Sequence, residues 1–241
     1  AIGAKTSGVV TVSNAVVITG SQAEITAALV TTASLVVAAT ALATISDDAG
    51  DTIVATLLSA IGAKTSGAVT VTNAIVITGT LAEVTAALVT TASLVVAATA
   101  LATISDTTTV AEANLIDAKT SGALTATLTT GSAASFSSLT GTGNVYTITV
   151  NDSAGDTLTA AVLSTIGGKT TGVVTVSSAV VITGSQAQVT AALVTAGTLV
   201  VAATALATIS DSAGDTIVAT TLSAIGAKTS GVVTVSNAVV I

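Results

Sequence analysis

Cysteine, histidine, methionine, tryptophan, proline and arginine are all missing from this 241-residue chain, which has a single tyrosine (Tyr146) and a single phenylalanine (Phe136). Each absence excludes something. Without cysteine there is no disulfide framework and no thiolate chemistry, a gap that fits an exposed extracellular polymer as well as it fits the cytosol. Without histidine and cysteine, Cys/His zinc sites and the usual histidine-based catalytic triad are ruled out. Charged residues make up 7% of the chain, against about 25% in an ordinary globular domain. The net charge is −7, and nucleic acid rewards the opposite sign. Disorder is excluded as well, because disordered chains are poor in the β-branched aliphatics that abound here.

What the chain has is repetition. All five basic residues occupy one repeat position: Lys5, Lys64, Lys119, Lys169 and Lys228 follow Ile-Gly-Ala, Ile-Asp-Ala or Ile-Gly-Gly and precede Thr-[Ser/Thr]-Gly. The spacing from Lys5 to Lys64 returns unchanged from Lys169 to Lys228. Residues 1–47 and 60–106 differ at only six positions. Self-similarity on this scale points to a repeat architecture, and it argues against an enzyme, whose site needs different residues converging on one point. Residues 1–18 recur unchanged as residues 224–241. The chain is therefore expected to be a window on a longer repetitive protein, without the polar capping repeats that end natural solenoids.

Each long repeat splits into two coils. An Ile or Val three residues before a helix-start signal serves as the ruler: Ile18, Ile45, Ile77, Ile104, Val150, Ile182 and Ile209. Its steps are of two lengths, a shorter one (Ile18 to Ile45, Ile77 to Ile104, Ile182 to Ile209) and a longer one (Ile45 to Ile77, Val150 to Ile182). The widest interval, Ile104 to Val150, is expected to hold two shortened coils, the extra one near Thr129. Within a coil come short β-branched runs, such as 9–13 and 16–19, or 35–38 and 42–46 in the partner coil. A capping box follows, with Ser21…Glu24 the best example and Thr80…Glu83, Ser185…Gln188, Asp48…Asp51, Ser153…Asp156 and Ser212…Asp215 repeating or approximating it. Ile53, Leu57 and Ile61 then lie at helical spacing, Gly62 offers a helix stop, and Lys64 complements the helix dipole. The expected fold is α/β or mainly β: a parallel solenoid of about eight to nine strand-strand-short helix coils of about 27–32 residues. Residues 1–106 and 151–241 form regular coils, 107–150 shorter irregular ones, all in one continuous rod uncapped at both ends. The irregular stretch is a kink or a place where larger side chains close a gap. One Tyr and one Phe make no ligand-binding constellation by themselves.

The Asp-[Asp/Ser]-Ala-Gly-Asp segments are the candidate metal sites, with Asp47 and Asp51, Asp152 and Asp156, and Asp211 and Asp215 as calcium ligands. The competing reading is that these carboxylates cap helices. No other cofactor is implied. Thr-x-[Ser/Thr] pairs recur (Thr44/Ser46, Thr70/Thr72, Thr175/Ser177, Thr234/Ser236 among them), and stacking makes hydroxyl ladders of a kind that some ice-binding solenoids use. Aligned by helix caps, the pairs fall on first strands in some coils and second strands in others, which predicts a broken array. The lysines, recurring every second coil, are expected in a row at about 10 Å intervals, largely screened from one another. Gly62-Ala63-Lys64-Thr65 has the tail of a phosphate loop without its first glycine. Membrane insertion enters through a mean hydropathy of +0.96 and through residues 25–46, uncharged throughout and long enough to span a bilayer. Seven of those positions are Thr or Ser, and no interfacial aromatics or flanking basic residues accompany them, which argues against insertion.

Runs such as ITGSQAEITAALV, ISDDAGDTIVATLLSAI and LTGTGNVYTITVNDSAGDT resemble the tandem repeats of giant secreted bacterial cell-surface and adhesin proteins, those of cyanobacteria in particular. The resemblance covers the whole chain and is one of repetitive style; it offers no site motif to carry over. It implies an extracellular or cell-surface location, a structural role in a filament, surface layer or biofilm matrix, and copies of the chain itself, head-to-tail or lateral, as partners. The alternative it leaves is an adhesive module that binds glycans or ice or is stiffened by calcium. Missing GGxGxD turns set the chain apart from calcium-binding secreted repeats.

Overall fold

The computed structural model describes residues 2–31, 36–93, 95–195, 197 and 200–241; Leu35, which opens the expected strand 35–38, lies outside them. The fold is α/β, its strands paired in parallel in several sheets. By internal contacts the chain forms two units, Ala1–Thr108 with Glu112–Ala126, and Thr109–Ala111 with Thr127–Ile241.

The first unit begins with β1 (Val10–Thr11), β2 (Val17–Gly20) and α1 (Gln22–Leu29), then β3 (Val36–Val37), β4 (Leu42–Ile45), β5 (Thr52–Val54) and α2 (Ala55–Gly62). β6 (Val69–Val71), β7 (Val76–Gly79), α3 (Leu81–Leu88), β8 (Val95–Val96) and β9 (Leu101–Thr108) continue it, and most of α4 (Val110–Asp117) and the start of β10 (Leu124–Leu128) also belong to it. β1 pairs with β3, β2-β4-β6-β8 form one sheet, and β5, β7 and β9 are neighbours in another. Each strand meets its parallel partner at a nearly constant distance along the chain, as in Val17↔Leu42, Ala43↔Val69 and Thr52↔Val76. The stretch of chain between one strand and that partner is a rung.

Period-two alternation sends every second side chain inward. In β4, Ala43 and Ile45 are buried while Leu42 and Thr44 face out. Ile45, Val69 and Ile77 of the strands, with Leu58 and Ile61 of α2, are fully buried. Each such side chain contributes about 1.5–3 kcal/mol. The interior is made of small and medium aliphatics because neighbouring backbones come close. A Cβ at Gly62 would overlap the Ser93 carbonyl, and one at Gly67 the Ala41 carbonyl.

The second unit holds α5 (Ala133–Phe136), β11 (Val145–Val150), β12 (Thr157–Thr159), α6 (Ala160–Gly167), β13 (Val174–Val176), β14 (Val181–Gly184), α7 (Gln186–Leu193), β15 (Val200–Val201), β16 (Leu206–Ile209), α8 (Ala219–Gly226) and β17 (Val233–Val235). β11, β13 and β15 are successive neighbours, and β12-β14-β16-β17 form a four-stranded sheet. Tyr146 and Phe136, the two aromatics, are buried in this unit.

The structure departs from the sequence-based expectation in three places. The capping boxes at Ser21/Glu24, Thr80/Glu83 and Ser185/Gln188 do start helices, but Asp48…Asp51 and its equivalents do not. There the carboxylate folds back on the backbone N–H three residues earlier, as Asp51 Oδ2 does to Asp48 at 3.1 Å. The result is a tight turn closed by Asp51 N–H to the Asp48 carbonyl at 3.0 Å. Gly50, Gly155 and Gly214 take φ of +90°, +86° and +87° in these turns, a region where glycine carries no Cβ penalty. A strand follows, so Ile53 and Val54 belong to β5 and the helix begins only at Ala55. The longer coil thus has an extra strand rather than a longer helix.

That extra strand also undoes the ruler. Its shorter steps stay within a sheet (Ile18 in β2 to Ile45 in β4, Ile182 in β14 to Ile209 in β16), whereas its longer steps cross from one sheet to another (Ile45 in β4 to Ile77 in β7, Val150 in β11 to Ile182 in β14). The lysines are affected in the same way. Lys5 precedes β1 and Lys64 precedes β6, which lie in different sheets, as do β13 and β17 behind Lys169 and Lys228. Within each unit they do not form one row.

The segment 25–46 is no membrane span: it contains the end of α1, then β3 and β4. No described helix is long and apolar enough to cross a membrane.

Two glycines at helix ends should respond oppositely to alanine. Gly62→Ala drives a Cβ into the Ser93 backbone and should cost about 1–3 kcal/mol. Gly168→Ala, whose Cβ would come no closer than 3.4 Å to a neighbouring atom and whose repeat equivalents are Ala63 and Ala227, should be neutral or stabilise by up to about 1 kcal/mol through reduced freedom of the unfolded chain. Thermal unfolding followed by circular dichroism reads both; equal shifts would show that the close approach at Gly62 is not there.

Candidate functional site

The sequence element that recurs most faithfully, Lys-Thr-[Ser/Thr]-Gly, lies in the loops that lead from α2, α4, α6 and α8 to the next strand. Its working residues are the three after the lysine. Thr65 Oγ1–H donates to the Ala41 carbonyl of the preceding rung, and the same oxygen accepts the Gly67 N–H at 3.0 Å. Ser66 donates twice to the Ala39 carbonyl, through its N–H at 2.8 Å and its hydroxyl at 3.0 Å. Gly67 completes the clasp by leaving room for the Ala41 carbonyl, which a Cβ would overlap.

The clasp repeats. Thr120, Thr170 and Thr229 donate to the carbonyls of Ala100, Tyr146 and Ala205. Ser121, Thr171 and Ser230 donate to Ala98, Asn144 and Ala203. Gly122, Gly172 and Gly231 each sit against the carbonyl their threonine engages. Thr65, Thr120 and Thr170 are buried. Gly8 N–H also donates to Thr6 Oγ1, at 3.0 Å, so the loop geometry is local and the contact between rungs is added to it.

The six candidate calcium ligands have separate tasks. Asp47 Oδ2 accepts the N–H of Gln22, the first residue of α1, at 2.6 Å, and Asp211 Oδ2 accepts that of Gln186 in α7 at 2.7 Å. Asp152 Oδ2 accepts the Ala133 N–H of α5 at 2.7 Å. These carboxylates therefore cap helices, though each caps the helix of the preceding rung, where a negative charge also complements the dipole. Asp51, Asp156 and Asp215 close their own turns on Asp48, Ser153 and Ser212. Asp106, which the sequence pattern does not single out, does for Leu81 of α3 what Asp47 does for Gln22, at 2.6 Å. Its signal is the shared Ile-Ser-Asp of 45–47, 104–106 and 209–211. Among the described residues no group of three or more His, Cys, Asp or Glu side chains is placed to hold a metal.

The hydroxyl ladders are interrupted in two sheets, as the sequence predicts, where Thr70 meets Val96 and Thr175 meets Val201, while one four-strand ladder is complete. Thr159, Thr183, Thr208 and Thr234 are consecutive partners across β12, β14, β16 and β17, and Thr19, Thr44 and Thr70 across β2, β4 and β6. Of the pair members in these ladders, Thr44 and Thr208 lie on the second strands of their coils and Thr70 and Thr234 on first strands, as the alignment indicates, and each couple is joined within one sheet. The second members of the pairs lock neighbouring rungs: Thr72, Ser177 and Ser236 donate their hydroxyls to the Ile45, Val150 and Ile209 carbonyls at 3.0 to 3.1 Å.

The lysines rim shallow grooves between a helix end and a Val-Val strand. Lys64 stands by Leu29 and Val36–Val37, Lys119 by Leu88 and Val95–Val96, and Lys228 by Leu193 and Val200–Val201, with volumes of about 220, 340 and 240 Å³. The chemistry assembled most completely at these repeated positions is therefore hydrogen bonding between rungs. Compared with family models, with curated proteins and with solved structures, the chain matches none.

Thr65→Val keeps the volume but removes the donor to Ala41 and the acceptor for Gly67, and should destabilise the first unit by about 1–3 kcal/mol; Thr65→Ser should recover most of that. Denaturant midpoints for the pair decide it, since equal losses would assign the effect to packing. Asp47→Ala should cost about 0.5–2 kcal/mol and speed hydrogen exchange at the Gln22 amide. Because these carboxylates already serve backbone N–H groups, the melting temperature should be the same in EDTA and in millimolar calcium; a rise with calcium that Asp51→Asn abolishes would restore the metal reading.

Proposed function

We propose that this chain is a structural repeat segment of an extracellular bacterial filament, surface layer or matrix protein, its rungs stacked as about eight to nine coils of a parallel solenoid. The observation that carries this reading is the parallel pairing of each strand with its counterpart one rung further on, kept within both units, with a clasp to the rung before at each Lys-Thr-[Ser/Thr]-Gly loop. A rule that refers only to the nearest neighbour sets no limit on length, which suits a fibre or coat assembled from near-identical segments. The resemblance to giant secreted surface proteins supports an extracellular location, and the role is mechanical rather than catalytic. Other copies of the chain, end to end or side by side, are the natural partners.

A second reading, an adhesive module, draws on the continuous threonine ladder of β12-β14-β16-β17. Its outward side chains form a regular, uncharged array. Replacing Thr183 and Thr208 by bulky residues and scoring adhesion or ice shaping separates the two readings, because a scaffold keeps its assembly and has no surface activity to lose.

Cryo-electron microscopy or fibre diffraction of the native material tests the structural role. The expected result is a continuous rod with an axial repeat of about 4.8 Å, the separation of hydrogen-bonded strands. Isolated particles without that repeat would overturn it.

A further inference from the structure

Residues 107–150 break a pattern that the rest of the chain repeats almost verbatim, and the break changes the surface. α5 has four residues where α6 and α7 have eight. Beside this short helix lies a cleft of about 540 Å³, larger than the recurring grooves of about 220 to 340 Å³. All its lining residues belong to the second unit. Its walls carry the hydroxyls of Thr109, Thr129, Thr130, Ser132, Ser135 and Ser138, and the buried Phe136 lines it too. No carboxylate or ammonium group is among the lining residues.

Two of the hydroxyls are oriented by the backbone: Ser135 Oγ–H donates to the Ser132 carbonyl at 2.6 Å and Ser138 Oγ–H to the Ser135 carbonyl at 3.0 Å. With its proton committed, the Ser135 oxygen offers its lone pairs to the cleft as an acceptor. A matching ligand is rich in O–H donors. It is also uncharged, since the lining holds no counter-charge and the net charge of −7 repels anions at long range. We propose that this cleft binds neutral saccharide units. The site goes beyond the structural role: a segment that carries it holds polysaccharide as well as its own neighbours.

The test uses the whole chain with neutral tetrasaccharides of glucose, galactose, mannose and N-acetylglucosamine, and a uronate tetrasaccharide as the acidic probe, read by saturation-transfer NMR and titration calorimetry. At least one neutral probe should bind at millimolar concentration. Thr130→Trp, which fills the cleft from an exposed position, should weaken it by about tenfold or more, close to 1.4 kcal/mol. Ser138→Leu serves as a second blocking variant should the first fold poorly, and Thr44→Trp, on a ladder outside the cleft, should leave binding unchanged. The proposal is overturned if no neutral probe binds, if binding survives both blocking variants, or if the uronate probe binds as tightly as the best neutral one. None of these results depends on whether the chain assembles into rods, which the axial repeat tests separately.

Discussion

The structure of both units depends on how a carbonyl oxygen of one rung is met by the next. In a hairpin, the turn fixes which residues pair. Parallel strands joined by a whole rung of chain have no such device, and a slip of one residue would send every inward side chain to the outside. The Thr-[Ser/Thr]-Gly clasp supplies the missing constraint. Thr65 and Ser66 engage two carbonyls of the preceding rung, Ala41 and Ala39, so the loop fits in one position. Gly67 makes that position reachable. The strands are short, some only two residues, and their own ladder bonds would fix the register weakly.

Composition follows from the same closeness. Backbones that touch carbonyl to Cα leave space for Ala, Val, Ile and Leu between them and little for rings, which accounts for an interior with two aromatics. Both of these, Phe136 and Tyr146, are in the one stretch where helix length departs from the rule. Polar groups are used sparingly and locally. Hydroxyls add a bond from the next rung to carbonyls at the strand ends and in the turns, and carboxylates take helix N–H groups that lack partners within the helix.

Much of the local structure is legible in the sequence. Ser21-Gln22-Ala23-Glu24 announces a helix start, because both halves of a capping box lie within one short run. Val-rich runs announce strands for the same reason. What stays hidden depends on residues one rung apart. Asp47 is recognisable as a helix cap, but its helix lies a full rung upstream, and no spacing rule connects them. Ile53 matches a helical period with Leu57 and Ile61 and follows a plausible cap at Asp48, so strand β5 reads as the first turn of α2. The glycine of Ile-Gly-Ala-Lys reads as a helix stop, whereas Gly62 is the last residue of α2 and is kept small by Ser93. The constant lysine attracts notice, while the threonine, serine and glycine after it carry the contacts. Phe136 is visible, but a cleft made by a shortened helix leaves no mark in a list of residue types.

The extra strand gives the chain the property of a vernier. Its sequence recurs from Lys5 to Lys64, while its strands return to register in less than half that span, Val17 meeting Leu42 and Ala43 meeting Val69, and the two scales do not divide evenly. Copies of one motif therefore come to rest against different sheets, as Lys5 and Lys64 do in the first unit and Lys169 and Lys228 in the second. Duplicating such a gene segment lengthens the protein without stacking each copied side chain above its original. A chance change that spreads through the repeats by copying is then dispersed among the faces, so a charged or adhesive seam along one side cannot arise from copying alone.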